Sequence, residues 1–415
     1  MKKTMIAFPE KEREGNPHYF DFAYPVKLAK DLLTEKMEGE PFIYSFLEDS
    51  TMIEQTISQM LERRDADLQV LGPLYEYFND KKIYSDHFEY KIVLAENNFI
   101  YYFPKLQVAY AQLHIFQEHV DYDHEFLFAK SDEHMQSFLD FVNERSREYM
   151  LEGITVLTDT EDGLENSREE ITHQIDREDV LLAERTKEEI FRSIDQFFTE
   201  GGEFFKTYQI PYKRGILLYG SPGNGKTTLV KSIAGSVGAP VFYWQITEYT
   251  SSYSIKEVFD LATKLAPAIL IIEDIDSMPY ESRSYFLNTL DGATSKEGLF
   301  IVGTTNYPEK IDPALINRAG RFDRAYEIKH PSDDLRRQYL LQKKLDHLID
   351  SASVNLAIEK TEGLSIAQLN ELYISVALSV HYEQVVDLPA IVKELKENQR
   401  RTMKSDWEDE ASIGF

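Results

Sequence analysis

One short segment constrains this chain more than any other. Ile216-Leu-Leu-Tyr219 leads into Gly220-Ser221-Pro222-Gly223-Asn224-Gly225-Lys226-Thr227-Thr228, and Leu-Val-Lys-Ser-Ile-Ala-Gly follows. Residues 220–227 satisfy G-x-x-x-x-G-K-[ST] and stand between an apolar strand pattern and a helical one, the context that motif needs. Glycines let the backbone wrap closely around a phosphate chain with its N–H groups turned inward. The helix that follows turns its positive dipole end toward the same anion. Lys226 is placed to reach the terminal phosphates and the Thr227 hydroxyl to ligate Mg²⁺, so Gly220 to Thr228 form the candidate phosphate cradle.

A loop of this kind implies alternating strands and helices, and the surrounding sequence supplies them. Ile216–Tyr219, Val241–Ile246, Ala268–Ile272, Leu299–Gly303 and Tyr326–Ile328 read as short apolar strands, with helical segments between the earlier ones. That alternation predicts an α/β fold: a parallel sheet with helices on both faces. Beyond Pro331 every candidate is helical, and Ser365 with Gln368 makes a capping box before Ile366, Leu369 and Leu372. The expected boundaries are 181–330 for the large α/β part, 331–400 for a helical lid and 401–415 for an acidic tail.

Two further groups carry chemistry. Ala268–Ile272 ends in Glu273-Asp274-Ile275-Asp276. A buried strand ending in carboxylates presents a metal-holding acid and a water-polarising acid at the sheet's C-terminal edge. About fifty residues separate them from the phosphate loop. Next, Ile301-Val-Gly-Thr-Thr ends in Asn306, whose amide can position water, and Arg318 and Arg321 follow. These arginines are too far along the chain from the loop to be obviously local, and they suit a charge clamp delivered by a neighbouring subunit.

The first 150 residues are different. They are rich in Tyr and Phe and hold no glycine-rich chemistry. Ile53, Ile57, Met60 and Leu61 recur at helical spacing, and Phe88, Tyr90, Ile92 and Leu94 alternate as on a strand, with Asn97-Asn98 expected to turn it into Phe99–Phe103. This predicts an α+β N-terminal domain. Residues 151–180, acidic and nearly free of apolar side chains from Thr158 on, read as a solvated linker. With 415 residues, the chain has room for two or three domains. Its 45 Lys+Arg against 72 Asp+Glu give a net charge of −27, which disfavours nucleic acid and anionic membranes as partners. No Cys is present, so disulfides and thiolate chemistry are excluded. The N-terminus meets Pro9 and a charged run before an apolar core forms, and the run Ala266–Ile272 is too short to span a bilayer. A soluble, cytoplasmic protein is expected.

Residues 181–400 resemble the ATPase module of the AAA family, with its arginine-bearing second homology region. Within that family the Bcs type, named for a mitochondrial translocase of a folded iron–sulfur protein, is similar through Ile210-Pro-Tyr-Lys-Arg-Gly-Ile-Leu-Leu-Tyr-Gly220. Glu273-Asp274 also stands where most AAA proteins have Asp then Glu. By position, the resemblance gives Glu273, with Thr227, the Mg²⁺ side and Asp274 the water-polarising role. It makes Asn306, Arg318 and Arg321 the remaining catalytic residues, although one extra residue precedes Arg318 relative to the usual spacing. It implies ATP and Mg²⁺ as cofactors, a homo-oligomeric ring, expected to be a hexamer, and a client protein held by the N-terminal domain and remodelled by hydrolysis. A nucleotide-gated assembly scaffold for one fixed partner is the alternative. FtsH-type proteases have a similar ATPase module but carry H-E-x-x-H and transmembrane helices, and neither is seen in this chain. The loop Thr247–Ser254 lacks the aromatic–hydrophobic–glycine tripeptide of threading AAA proteins, although Tyr249 and Tyr253 remain available to face a pore. His114, His119, Asp121, Asp123 and His124 suggest a metal site, and a wet strand end accounts for them equally well.

Overall fold

The structure, a computed structural model, describes residues 24–45, 51–75, 79–86, 89–116, 121–161, 163–170, 175–291, 297–312, 315, 321–383 and 385–404. The chain divides into two compact units, residues 1–148 and 149–415.

The first unit contains α1 (Tyr24–Lys36), β1 (Phe42–Tyr44), α2 (Thr51–Arg63), β2 (Gln69–Leu71), β3 (Lys81–Asp86), β4 (Glu89–Leu94), β5 (Ile100–Phe103), β6 (Val108–Phe116), β7 (Asp121–Ala129) and α3 (Asp132–Met150). Among the described residues, β1-β7-β6-β5-β2 form an antiparallel sheet, while β3 and β4 pair only with each other. Every residue of β5 is buried, because its two faces meet different helices. Ile100 and Tyr102 pack with Ala29, Leu33 and Met37 of α1. Phe103 meets Phe138 of α3 at a ring-centroid distance of 4.9 Å. A strand covered on both sides loses the polar half of its alternation, which explains the aromatic run. The expected hairpin through Asn97-Asn98 does not form. Buried Asn98 instead accepts the Leu74 and Tyr75 N–H groups at 3.0 and 2.9 Å, and the chain leaves β4 for another sheet.

The second unit contains β8 (Gly153–Thr160), β9 (Gly163–Glu170), α4 (Glu184–Phe198), α5 (Glu203–Thr207), β10 (Lys213–Tyr219), α6 (Lys226–Ser236), β11 (Val241–Gln245), α7 (Ser252–Lys264), β12 (Ala268–Glu273), α8 (Tyr280–Asp291), β13 (Leu299–Thr305) and β14 (Arg324–Glu327). Helices α9 (Asp333–Gln342), α10 (Ser351–Lys360), α11 (Ile366–Leu378) and α12 (Leu388–Lys404) complete it. The strand order is β14-β10-β13-β12-β11-β8-β9, parallel except for β9. On one face, Ile190, Ile194 and Phe197 of α4 and Leu229, Val230 and Ile233 of α6 cover Ile216, Ile269, Ile271, Phe300 and Val302. Residues alternating with these point to the opposite face. There Trp244 meets Phe286 of α8, which also meets Phe259 of α7. Burial on both faces makes these strands continuously apolar, which is why they are legible as strands. Helices α9 to α12 form a separate core around Leu340, Val354, Leu369, Leu372 and Val392.

The reading of 151–180 as a solvated linker is corrected here. Val241 to Gln245 pair in parallel with Ile154 to Thr158, so β8 and β9 extend the sheet by a hairpin. Gly153, Thr155, Leu157 and Asp159 are its buried positions, a set whose hydropathy gives almost no strand signal. Burying Asp159 is possible because Oδ2 accepts from Trp244 Nε1 at 2.9 Å and from Thr250 Oγ1 at 2.6 Å.

Candidate active site

The phosphate-loop motif joins the end of β10 to the start of α6 and takes a conformation that side chains would prevent. Gly220 has φ 138°, and a Cβ there would lie 2.4 Å from the Ile328 carbonyl oxygen. Gly223 has φ 78°, and its added Cβ would meet Ala367 Cβ at 2.9 Å. Glycine is the residue that populates this region without steric cost. Gly225, also left-handed, begins α6 and leaves the helix's first N–H groups facing the loop. Thr227 and Thr228 are exposed in that first turn, beside half-buried Ser221 and exposed Pro222. Asn224 is buried: its Nδ2 donates to the Ser221 carbonyl at 3.2 Å, and its Oδ1 has no partner.

Lys226 is only 7% exposed, and its Nζ donates to the carbonyls of Gly220 at 2.6 Å and Ser221 at 3.1 Å. Burial pulls its pKa below the ordinary lysine value, while Asp274, Asp276 and Glu273 oppose that shift. Across the site, Thr227 Oγ1 donates to Glu273 Oε1 at 3.0 Å. Asn306 Nδ2 donates to Asp274 Oδ1 at 3.2 Å, and the Asp274 N–H donates to Thr304 Oγ1 at 3.2 Å. Burial raises the Asp274 pKa above the ordinary carboxylate value, helped by Glu273 and Asp276 and opposed by Lys226. Its backbone is left-handed, φ 52° and ψ 51°. That conformation is costly for a residue with a Cβ and is commonest where a side chain must be aimed.

The sheet explains this convergence. Strands β10, β13 and β12 are neighbours, so the loop, Asn306 and Glu273-Asp274 all emerge at the same carboxyl edge. Arg321 is held elsewhere. It is 4% exposed, and its guanidinium takes Asp291 of α8 with Nε to Oδ1 at 2.7 Å and a terminal nitrogen to Oδ2 at 2.5 Å. Arg318 lies outside the described residues. Four neighbours of the site have no individual role in the sequence analysis. Asp276 accepts from Thr305 Oγ1 at 2.6 Å, and Thr304 receives the Asp274 N–H. Ala367, at the start of lid helix α11, donates its N–H to the Gly223 carbonyl at 3.0 Å. Tyr243 of β11 lies diagonal to Glu273 across the β11–β12 register. Asp276 was visible in the acidic run. The others depend on sheet register or on how the lid folds back.

Residues 216–330 match the family described as ATPase family associated with various cellular activities (AAA). This segment is an AAA ATPase domain. Its similarity to known proteins extends somewhat further. The chain is 32% identical over 219 residues to an ATP-dependent zinc metalloprotease FtsH of Staphylococcus haemolyticus, covering 47% of this chain and 29% of that protein. It is 33% identical over 222 residues to the FtsH of Endomicrobium trichonymphae, covering 48% of this chain and 34% of that one. For the FtsH of Magnetococcus marinus the figures are 33% over 224 residues, 48% and 32%. The chain thus spans about a third of the length of these relatives. Among the described residues no helix is long and apolar enough to cross a membrane. None of their His, Asp and Glu side chains group as a metal site either, and His114 Nδ1 pairs with Asp123 Oδ1 at 2.8 Å. His119 lies outside the described residues.

Proposed function

We propose that this protein is a cytoplasmic ATP hydrolase that assembles as a ring, a hexamer by analogy with its family, and uses turnover to remodel or release client proteins held by the N-terminal unit. The observation that carries the ATPase reading is the meeting of Lys226, Thr227, Glu273, Asp274 and Asn306 at the carboxyl edge of β10, β13 and β12. The glycine cradle and the inward-turned lysine fit a polyphosphate, and the Thr227 hydroxyl with the Glu273 carboxylate offers the hard oxygen donors that Mg²⁺ takes.

In this reading the loop N–H groups, the α6 N-terminus and Lys226 bind and orient the phosphates. Mg²⁺, which Thr227 and Glu273 would hold, would supply positive charge to neutralise the phosphates. Asp274, steered by the Asn306 amide and the Thr304 hydroxyl, accepts hydrogen bonding from the attacking water and draws proton density from it. Ala367 lets the lid sense the loop directly, so nucleotide occupancy and lid position are coupled through one hydrogen bond. Arg318 is assigned to charge stabilisation across a subunit boundary, a role Arg321 can share only by leaving Asp291, which holds its guanidinium within its own chain. The net charge of −27 supports a protein client over a nucleic acid.

The test is steady-state ATP turnover by the full chain with and without an aggregation-prone client. Turnover that rises with client supports a remodeller. Turnover that ignores client, with nucleotide changing only the oligomeric state, would instead make the protein a scaffold.

A further inference from the structure

Asp159 lies near the end of β8, and because β8 runs parallel to β11 and β12 it stands at the same carboxyl edge of the sheet as Glu273-Asp274. Besides Trp244, it holds the loop between β11 and α7 at two points. Thr250 Oγ1 donates to Asp159 Oδ2 at 2.6 Å, and Thr247 Oγ1 donates to the Asp159 carbonyl at 3.0 Å. Thr250 Oγ1 in turn accepts the Thr247 N–H at 3.0 Å. From the other side α8 holds the same loop, with Ser282 Oγ donating to the Thr250 carbonyl at 2.9 Å. Asp159, Thr250 and Ser282 are all buried, so little water competes for these bonds. Asp159 Oδ1 has no partner, which leaves Oδ2 to hold the carboxylate alone. If the loop shifts, β8 must follow it or strand a buried acceptor.

Helix α8 leads straight back to the acids of the site. A 3₁₀ turn, Ile275–Ser277, follows Asp274, with the Ser277 N–H on the Asp274 carbonyl at 2.8 Å and the Met278 N–H on the Ile275 carbonyl at 3.1 Å. The Ser282 N–H then takes the Pro279 carbonyl at 3.0 Å. A connection this short and internally bonded carries a displacement of Asp274 to Ser282. At its other end β8 starts after Leu151-Glu152, the two residues that separate it from α3. Thr155 Oγ1 donates to Met150 Sδ at 3.0 Å, and Arg168 of β9 donates to the Tyr149 carbonyl, so the hairpin grips the last turn of α3.

We infer that Asp159 and Thr250 are positioning residues: with Ser282 they clasp β8 to the water-activating side of the nucleotide site, so that the strand continuing from the last helix of the N-terminal unit follows nucleotide state. This inference rests on the proposed ATPase reading and deepens it, because a remodeller needs a physical link from hydrolysis to the part that holds its client. Contiguity alone does not establish such a link; it requires an element whose state the nucleotide biases.

The chain's two tryptophans are Trp244 and Trp407, and Trp244 Nε1 donates to Asp159, so in a full-length Trp407→Phe protein the emission reports on the clasp. Emission is compared with saturating Mg²⁺–ATPγS and Mg²⁺–ADP, and amide hydrogen exchange over residues 149–160 is read in the same two states. Both should differ between the nucleotides. Thr250→Val keeps the side chain's shape and removes its donor, and Ser282→Ala cuts the link to α8. Each should abolish both differences while basal ATP turnover is unchanged, and Thr250→Ser should keep them. Emission and exchange that are the same with either nucleotide overturn the inference. So do differences that survive both substitutions undiminished, since the signal then travels through the packing of Phe286 on Trp244. Differences lost in Thr250→Ser as well would make the effect one of packing and refute positioning by the hydroxyl. The ATPase reading fails separately: a chain that binds neither nucleotide in calorimetry removes it, and the inference falls with it.

Discussion

Lys226 and Asp274 bring opposite electrostatic demands into one small space. Burial lowers the lysine's pKa, and three carboxylates oppose that shift. Lys226→Ala removes the ammonium aimed at the phosphates, and calorimetry should show nucleotide binding lost. Asp274→Asn should bind ATP normally and hydrolyse it very slowly, because an amide cannot polarise water as a carboxylate does. If instead Glu273→Gln proves binding-competent and inactive while Asp274→Asn loses Mg²⁺ affinity, the two roles are exchanged. The raised Asp274 pKa adds a signed expectation. A carboxyl whose folded-state pKa exceeds its unfolded value weakens the fold once ionised, because the folded state favours the proton. Asp274→Asn should therefore raise the thermal midpoint at neutral pH. That gain shrinks as pH falls through the raised pKa toward the ordinary carboxylate value, and below both only a pH-independent part remains. The left-handed backbone, which asparagine tolerates well, is one source of that part. A gain equal at pH 4 and pH 7 would contradict ionisation as the cause.

At the scale of elements, β8 makes a comparable test. Asp159→Ala strips the acceptor from Trp244 Nε1 and Thr250 Oγ1, both in buried hydrogen bonds. Leaving buried donors unsatisfied costs about 1–3 kcal/mol, measurable in chemical denaturation. A change below a few tenths of that would mean the hairpin is an ornament on the sheet edge. This element also shows where sequence reading stops. Strands β10, β12 and β13 are apolar on both faces and flanked by recognisable loops, so the phosphate loop, the acidic pair and Asn306 are legible in the sequence. In β8, buried positions are filled by Gly, Thr, Leu and Asp, and β9 reads Gly-Leu-Glu-Asn-Ser-Arg-Glu-Glu, so no hydrophobic period marks either strand. β8 is a strand through its pairing to β11, a long-range fact, and β9 through its hairpin to β8. The same holds for Asn98, whose turn is dictated by the Leu74 and Tyr75 N–H groups.

Across the whole molecule, what matters is where the arginines act, and the two need separate treatment. Arg321 is buried against Asp291 of its own chain, so Arg321→Ala leaves a carboxylate without its fork of donors. Asp291 keeps 28% side-chain exposure, so water offsets part of that loss, and a destabilisation of about 1–2 kcal/mol is expected. Some of any lost activity would then come from damage inside the mutated subunit. Arg318→Ala is therefore the cleaner probe of action across a boundary, where one guanidinium is worth on the order of 10³–10⁵ in rate. Arg318→Ala subunits retain Lys226, and Lys226→Ala subunits retain both arginines. Mixed together, they place intact arginines opposite intact phosphate loops at some boundaries, and partial ATP turnover should return. Arg321→Ala subunits mixed in the same way should recover less, because their own fold is weakened. Native mass spectrometry of the mixtures confirms that hybrid assemblies are present, independent of turnover. Hybrids that stay silent for Arg318→Ala, with that variant as slow when diluted to monomer as when assembled, would place the arginine's work inside its own subunit.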